Sequence, residues 1–262
     1  MSFVEPVERN LRCALRTLAG ATGVGECREL PGLLIAAAGI DCAVFNAALL
    51  MPPAAATVNE FERRLLSAAV HYQARGSPWS FWLSEDLVHR EVRRQAERIL
   101  TRRGLASLSV CPGMIADRIA PPDASVPDME FRPATEPDVR TAFCHVMGAA
   151  FMLPFEIARA IYGAEHVWRA GFQGWVGYAN GDAVSTAAVL PSGDVLGVYA
   201  VATLPAWQRR GYAEAVTRHA LAEARRSTGI ECSVLQSTRA GLALYRKMGY
   251  RQTTSIAVYQ SC

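Results

Sequence analysis

The chain has 262 residues, 51% of them apolar, enough to bury one large domain or two small ones. A formal net charge of +3 is too small to point to nucleic acid, an acidic substrate or a membrane surface. Seven cysteines (13, 27, 42, 111, 144, 232 and 262) are scattered without a C-x-x-C pair, which argues against a disulfide framework or a zinc site and for a cytoplasmic protein. No metal is expected.

The opening MSFVEPVERN is charged and lacks the apolar core of a signal peptide. Residues 7–19 read as a helix. The stretch 33–56 is apolar enough to raise the question of a membrane span, yet it holds Gly39, Asp41, Asn46 and Pro52-Pro53. An aspartate at a bilayer centre costs about 2.5–3.5 kcal/mol. The expectation is therefore two short buried strands, 32–38 and 42–49, around a Gly-Ile-Asp turn. A helix over 56–75 follows, which Thr57 or Asn59 could cap. Then come a strand at 80–83, a helix from Ser84 to about Arg103 ended by Gly104, and strands at 107–110 and 114–118. The last of these helices carries Arg90, Arg93, Arg94, Arg98, Arg102 and Arg103 opposite Val88, Val92, Ala96 and Ile99. That is the pattern of a solvated face on an amphipathic helix.

Residues 119–128, IAPPDASVPD, hold three prolines and two aspartates with little apolar periodicity. They read as a linker and divide the chain into domains 1–122 and 128–262. Beyond the linker the expected order is strand 129–133, helices 136–150 and 154–162, strands 173–178 and 183–190, strand 195–203, helix 211–228, strand 232–236, helix 239–248 and strand 253–259. Asn180-Gly181 marks a two-residue hairpin turn. The mixture suits an α/β or α+β domain with a central sheet flanked by helices.

The stretch VYAVATLPAWQRRGYAEAV, residues 198–216, carries chemistry. An apolar strand stops before Pro205, which cannot continue a ladder. The loop Trp207 to Ala213 runs straight into a helix, whose first turn exposes unpaired N–H groups and the positive end of the dipole. A pyrophosphate fits such a place. Gly211 and Ala213 let the backbone come close, and Arg209 and Arg210 add charge at the rim. The glycine patterns of a P-loop or a Rossmann turn are missing.

Gln208-Arg209-Arg210-Gly211-Tyr212-Ala213 resembles the Q/R-x-x-G-x-G/A signature of the GCN5-related N-acetyltransferases. A second block, SVLQSTRAGLALYRKMGY at 233–250, resembles that family's closing motif, with Tyr245, Gly249 and Tyr250 at matching positions. The likeness covers roughly 129–262. It implies the family's mixed sheet and an acetyl-CoA-dependent transfer of an acetyl group to a primary amine. A small-molecule acceptor is expected, with monomer or homodimer left open. It further implies that backbone groups of Val201, Ala202 and Thr203 face the pantetheine arm. The loop from Gln208 through Arg209, Arg210, Gly211, Tyr212 and Ala213 to Glu214 would hold the pyrophosphate. Ser237 stands near where relatives have an asparagine. Tyr245 stands where they place the acid that protonates the leaving thiolate. Many relatives draw their general base from the position that is Gly197 here, so no base is named. Asp194, Glu156, Glu165 and His166 are the other candidates. The alternative function is a non-catalytic acyl-CoA sensor. Residues 1–118 lack the loop, yet their order echoes the second half and resembles the degenerate leading domain of tandem members of the family.

Overall fold

The computed structural model describes residues 4–123 and 127–261. In the first half, α1 (Val4–Ala19) buries Val7, Leu11, Ala14, Leu15 and Leu18, a helical stripe. A hairpin follows, β1 (Glu26–Leu30) and β2 (Leu33–Ala37), turning at Gly32 with φ of 74°. Then come β3 (Asn46–Leu50), α2 (Val58–Gln73), β4 (Ser80–Ser84), α3 (Arg90–Arg102) and β5 (Leu105–Ala116). The apolar stretch 33–56 thus forms β2 and β3, both wholly buried, and among the described residues no helix is long and apolar enough to cross a membrane.

The second half begins with β6 (Glu130–Pro133), α4 (Pro137–Phe151), α5 (Phe155–Ala158), which continues as a π-turn over Arg159–Gly163, and α6 (Glu165–Arg169). It goes on through β7 (Gln173–Ala179), β8 (Asp182–Ser192), β9 (Val195–Thr203), α7 (Tyr212–Thr228), β10 (Ser233–Gln236), α8 (Leu242–Lys247) and β11 (Arg251–Ser261). Asn180 and Gly181 both have positive φ, 54° and 86°, as the two-residue turn between β7 and β8 requires.

All these strands join one sheet in the order β1-β2-β3-β4-β11-β5-β10-β9-β8-β7-β6. Only the β3–β4 and β9–β10 pairs are parallel. The order β3-α2-β4-α3-β5 is repeated as β9-α7-β10-α8-β11, but the last strands interleave. β11 lies between β4 and β5, and β5 lies between β11 and β10. Each half therefore completes the other's sheet.

Several boundaries differ from the expected ones. β1 is an edge strand of sequence ECREL, mostly exposed, and gives no alternating signal. The two strands expected at 107–110 and 114–118 are one strand, because Pro112 and Gly113 sit within its pairing to β11. The helix expected to run on from Ser84 begins at Arg90, after a 3₁₀ turn over Glu85–Leu87.

The sheet is covered on both sides. Phe61, Leu65, Tyr72, Phe81, Ile99 and Leu100 pack α2 and α3 onto the first half. Val216, Ala220, Leu221, Leu235 and Met248 pack α7 and α8 onto the second. On the opposite face, Phe143, Ile161 and Tyr162 share a core with Ala14 and Leu18 of α1. The N-terminal helix thus reaches across the sheet, and Val7 packs against Ile115, Val195 and Val234.

Candidate active site

The site is built where two parallel strands part. β9 pairs with β10 only from Leu196 to Val198, against Ser233 to Leu235. Beyond Val198, β9 bulges at Ala200, whose φ is 49°, and its register with β8 slips between Thr186 and Ala188. The carbonyl of Ala200 is held by Thr186 Oγ1 at 2.9 Å. Ala202 and Leu204 turn their backbone groups to β8, through Ser185 Oγ to Ala202 O (2.6 Å) and Leu204 N to Val184 O (2.9 Å). Strand alternation then turns the backbone groups of Val201 and Thr203 into the gap. Gln208 reaches back from the loop to donate to Thr203 O at 3.2 Å, tying loop to strand.

The loop from Gln208 to Gly211 leads into α7. Arg209 (φ 63°) and Gly211 (φ 88°) are both left-handed, which folds the chain tightly before the helix. The first bond of α7 runs from Ala215 N to Gly211 O at 3.0 Å, and among the described residues the amides of 209–214 donate to no backbone carbonyl. These free amides and the dipole form an anion cradle. Arg209 and Arg210 are exposed at its rim, with Arg210 5.6 Å from the ring centre of Trp207. Tyr212 packs edge-on against Trp207. Gly211 is confined on its other side, since a Cβ there would lie 2.9 Å from Pro127 of the linker.

Glu214 turns inward from the first turn of α7. Burial would raise its pKa, but hydrogen bonds from Lys247 (2.9 Å) and Arg218 (2.9 Å) prevail and hold it below the usual carboxylate range. Arg218 also donates to Ala120 O at 2.6 Å, so one carboxylate links α7, α8 and the linker. The carboxylate of Glu214 is thus taken up within the protein, and its amide stays with the open amides of the cradle.

Ser237 follows β10 and is fully buried. Its amide donates to Pro112 O (2.8 Å) and its hydroxyl to Thr238 O (2.7 Å), so both its donors are engaged within the protein. Next to it, Gly241 lies against the ring of Tyr245, where a Cβ would come 2.9 Å from Cε2. Tyr245 is 7% exposed and packs edge-on to Tyr250. Burial pushes its pKa far above the ordinary tyrosine value, and its hydroxyl has no protein partner among the described residues. Burial thus favours the neutral phenol over the phenolate.

Gly197 explains the missing base. A side chain there would collide with Asn10 Oδ1 of α1 and come 2.6 Å from Tyr199 Cε2. Asn10 is fully buried, donates to Leu190 O (3.0 Å) and accepts from the Tyr199 hydroxyl (2.6 Å). The other carboxylates considered from sequence are engaged at the surface, Asp194 with Arg9, Glu156 with Arg159 and Glu165 with Arg169. The role of Asn10 was hidden in sequence, because it lies 187 positions from Gly197 and no spacing rule connects them.

The first half has an equivalent place, and its own chain closes it. After β3 and β4 the strands do not part, because Ala55 N donates to Leu87 O (3.0 Å) and His89 N to Ala55 O (3.1 Å). The N-terminus of α2 is capped by Thr57 Oγ1, which accepts from Glu60 N at 3.2 Å, while Glu60 accepts from Ala56 N at 2.9 Å. The side chain of Thr57 thus takes an amide of the first turn, and the Glu60 carboxylate lies beside it on the preceding Ala56 amide.

Residues 170–252 match the model of the acetyltransferase (GNAT) domain. No curated protein matches the chain. A GCN5-related N-acetyltransferase from Kribbella flavida is similar in structure, with a TM-score of 0.68 and 19% identity over 95% of this chain and 94% of that one. A conserved protein of unknown function from Staphylococcus epidermidis gives 0.64 and 13%, covering 89% and 92%. A GCN5-related N-acetyltransferase from Sphaerobacter thermophilus gives 0.55 and 16%, covering 82% and 72%. At such identities these neighbours establish the fold, and two of them share it over nearly the whole chain. The parted strands and the uncapped helix lie within residues 170–252, the stretch that matches the GNAT acetyltransferase domain.

Proposed function

We propose that the protein is an N-acetyltransferase that takes acetyl-CoA as donor and a primary amine of a small molecule as acceptor. The observation that carries this reading is the parting of β9 from β10 in line with the open amides of 209–214. An extended thioester arm fits the backbone groups of Val201 and Thr203, and a pyrophosphate fits the cradle beyond. The first half, residues 1–122, serves as a degenerate GNAT-like domain that supplies β5 and α1 to its partner half, 128–262.

Bound acetyl-CoA supplies an activated carbonyl. Attack by a neutral amine leaves charge first on oxygen and then on sulfur. Tyr245 gives its proton to the departing sulfur and takes one back, through water, from the nitrogen that attack has left positively charged, so the buried phenol ends the cycle in the neutral form that burial favours. No carboxylate projects at Gly197, so the amine arrives already neutral or sheds its proton to water. That same gap is the one observation favouring the alternative, a non-catalytic acyl-CoA sensor. Release of free CoA thiol from acetyl-CoA in the presence of a panel of amines separates the two. Amine-dependent release is expected, and CoA binding without release for any amine would favour the sensor.

A further inference from the structure

Tyr199 and Asn10 stand at the closed end of the gap described above. The gap ends where Val198 pairs with Leu235, and beyond that point the two strands are joined. On one face of this closed end, Leu196, Val198, Leu235 and Tyr245 are packed together and between 0% and 7% exposed. On the other face, the space above Gly197 is taken by Asn10 and the ring of Tyr199. Packing alone could yield to a ligand, but these two side chains are pinned. The Tyr199 hydroxyl donates to Asn10 Oδ1, Asn10 Nδ2 donates to Leu190 O, and the ring of Phe172 abuts Tyr199 edge-on at 5.7 Å between centroids. Moving Tyr199 aside would leave the buried Asn10 Oδ1 without its donor.

We infer that Asn10 and Tyr199 close the acyl end of the donor cleft and restrict the donor to short acyl groups such as acetyl and propionyl. A longer tail would meet the closed faces and weaken binding. The selectivity thus comes partly from α1, in the half of the chain that has no cradle of its own. This inference rests on the donor reading given under the proposed function.

The test needs no knowledge of the acceptor. Calorimetry on the full chain would measure affinity for CoA, acetyl-CoA, butyryl-CoA and octanoyl-CoA. Octanoyl-CoA should bind at least about tenfold more weakly than acetyl-CoA, in the range by which pockets reject added methylenes. Tyr199→Ala should shrink that ratio to about threefold or less by opening the end of the cleft. Asn10→Ala, a smaller change, should move it the same way and serves if the first variant does not fold. Equal affinity of the unaltered protein for acetyl-CoA and octanoyl-CoA overturns the inference while leaving the donor reading intact. So does an unchanged ratio in a folded variant that still binds CoA. Failure of the unaltered protein to bind any of the four overturns the donor reading and this inference with it.

Discussion

Tyr245 is the residue on which turnover should depend most. In the proposed reaction its proton is needed only as sulfur departs, so Tyr245→Phe should lower kcat by about 10²–10⁴-fold and change acetyl-CoA affinity little. Steady-state rates at saturating acceptor check this, and a fall under about threefold would remove the general-acid role. Because burial raises its pKa, the rate should show no falling limb from Tyr245 up to pH 9.5. The cradle is tested best at Ala213 rather than at Gly211. Any side chain at Gly211 meets Pro127 and strains a left-handed backbone, so loss of binding there would mix two causes. Ala213→Glu places a carboxylate in the first turn, which the helix dipole tolerates and a pyrophosphate does not. CoA affinity should fall at least about tenfold, one like-charge contact's worth, with little change in melting temperature. At this scale the sequence was informative wherever chemistry is local. The loop 208–214 and the position of Tyr245 follow from short motifs, whereas Asn10 and the engaged hydroxyl of Ser237 depend on contacts that only folding creates.

Elements were legible in proportion to their periodicity. β7, β8, β9 and α7 have clear patterns and fall within about two residues of expectation, the usual scatter of boundaries. β1 was missed because an exposed edge needs no apolar face, and β5 was split because proline and glycine usually interrupt a strand. Two predictions concern how elements pack. Gly197→Ala should displace Asn10 and cost about 1–3 kcal/mol, read as a drop of several degrees in melting temperature. His219 of α7 is stacked on Phe131 at 4.1 Å and edge-on to Trp175 at 4.3 Å, and its buried Nε2 has no hydrogen-bond partner among the described residues. Burial lowers its pKa, so the folded state binds its proton less readily than the unfolded chain does. Its contribution is therefore complete above the ordinary histidine pKa of about 6.5 and is lost as pH falls from there toward the lowered value. Thermal melts from pH 8 to pH 5 should show this loss, and His219→Phe, which keeps the stacking, should reduce it.

For the whole molecule, the sheet order is what the sequence could not reveal. The linker at 119–128 suggests two separable halves, and a fragment such as 127–262 would then be expected to keep some CoA affinity. The interleaving argues otherwise, because β5 supplies the pairing partner on one side of both β10 and β11. A fragment of residues 128–262 should lack a cooperative thermal transition, and addition of residues 1–122 in trans should restore it. A fragment that melts cooperatively alone would show that the second half does not need β5. We propose that one place in the chain, the parted strands and open cradle of the second half, holds CoA, while the stitched and capped equivalent in the first half does not. Titration calorimetry of acetyl-CoA into the intact chain tests it most directly. One site per chain is predicted, strongly weakened by Ala213→Glu and untouched by Thr57→Ala in the capped loop of the first half. Two equivalent sites, no binding, or a single site indifferent to Ala213→Glu would contradict it.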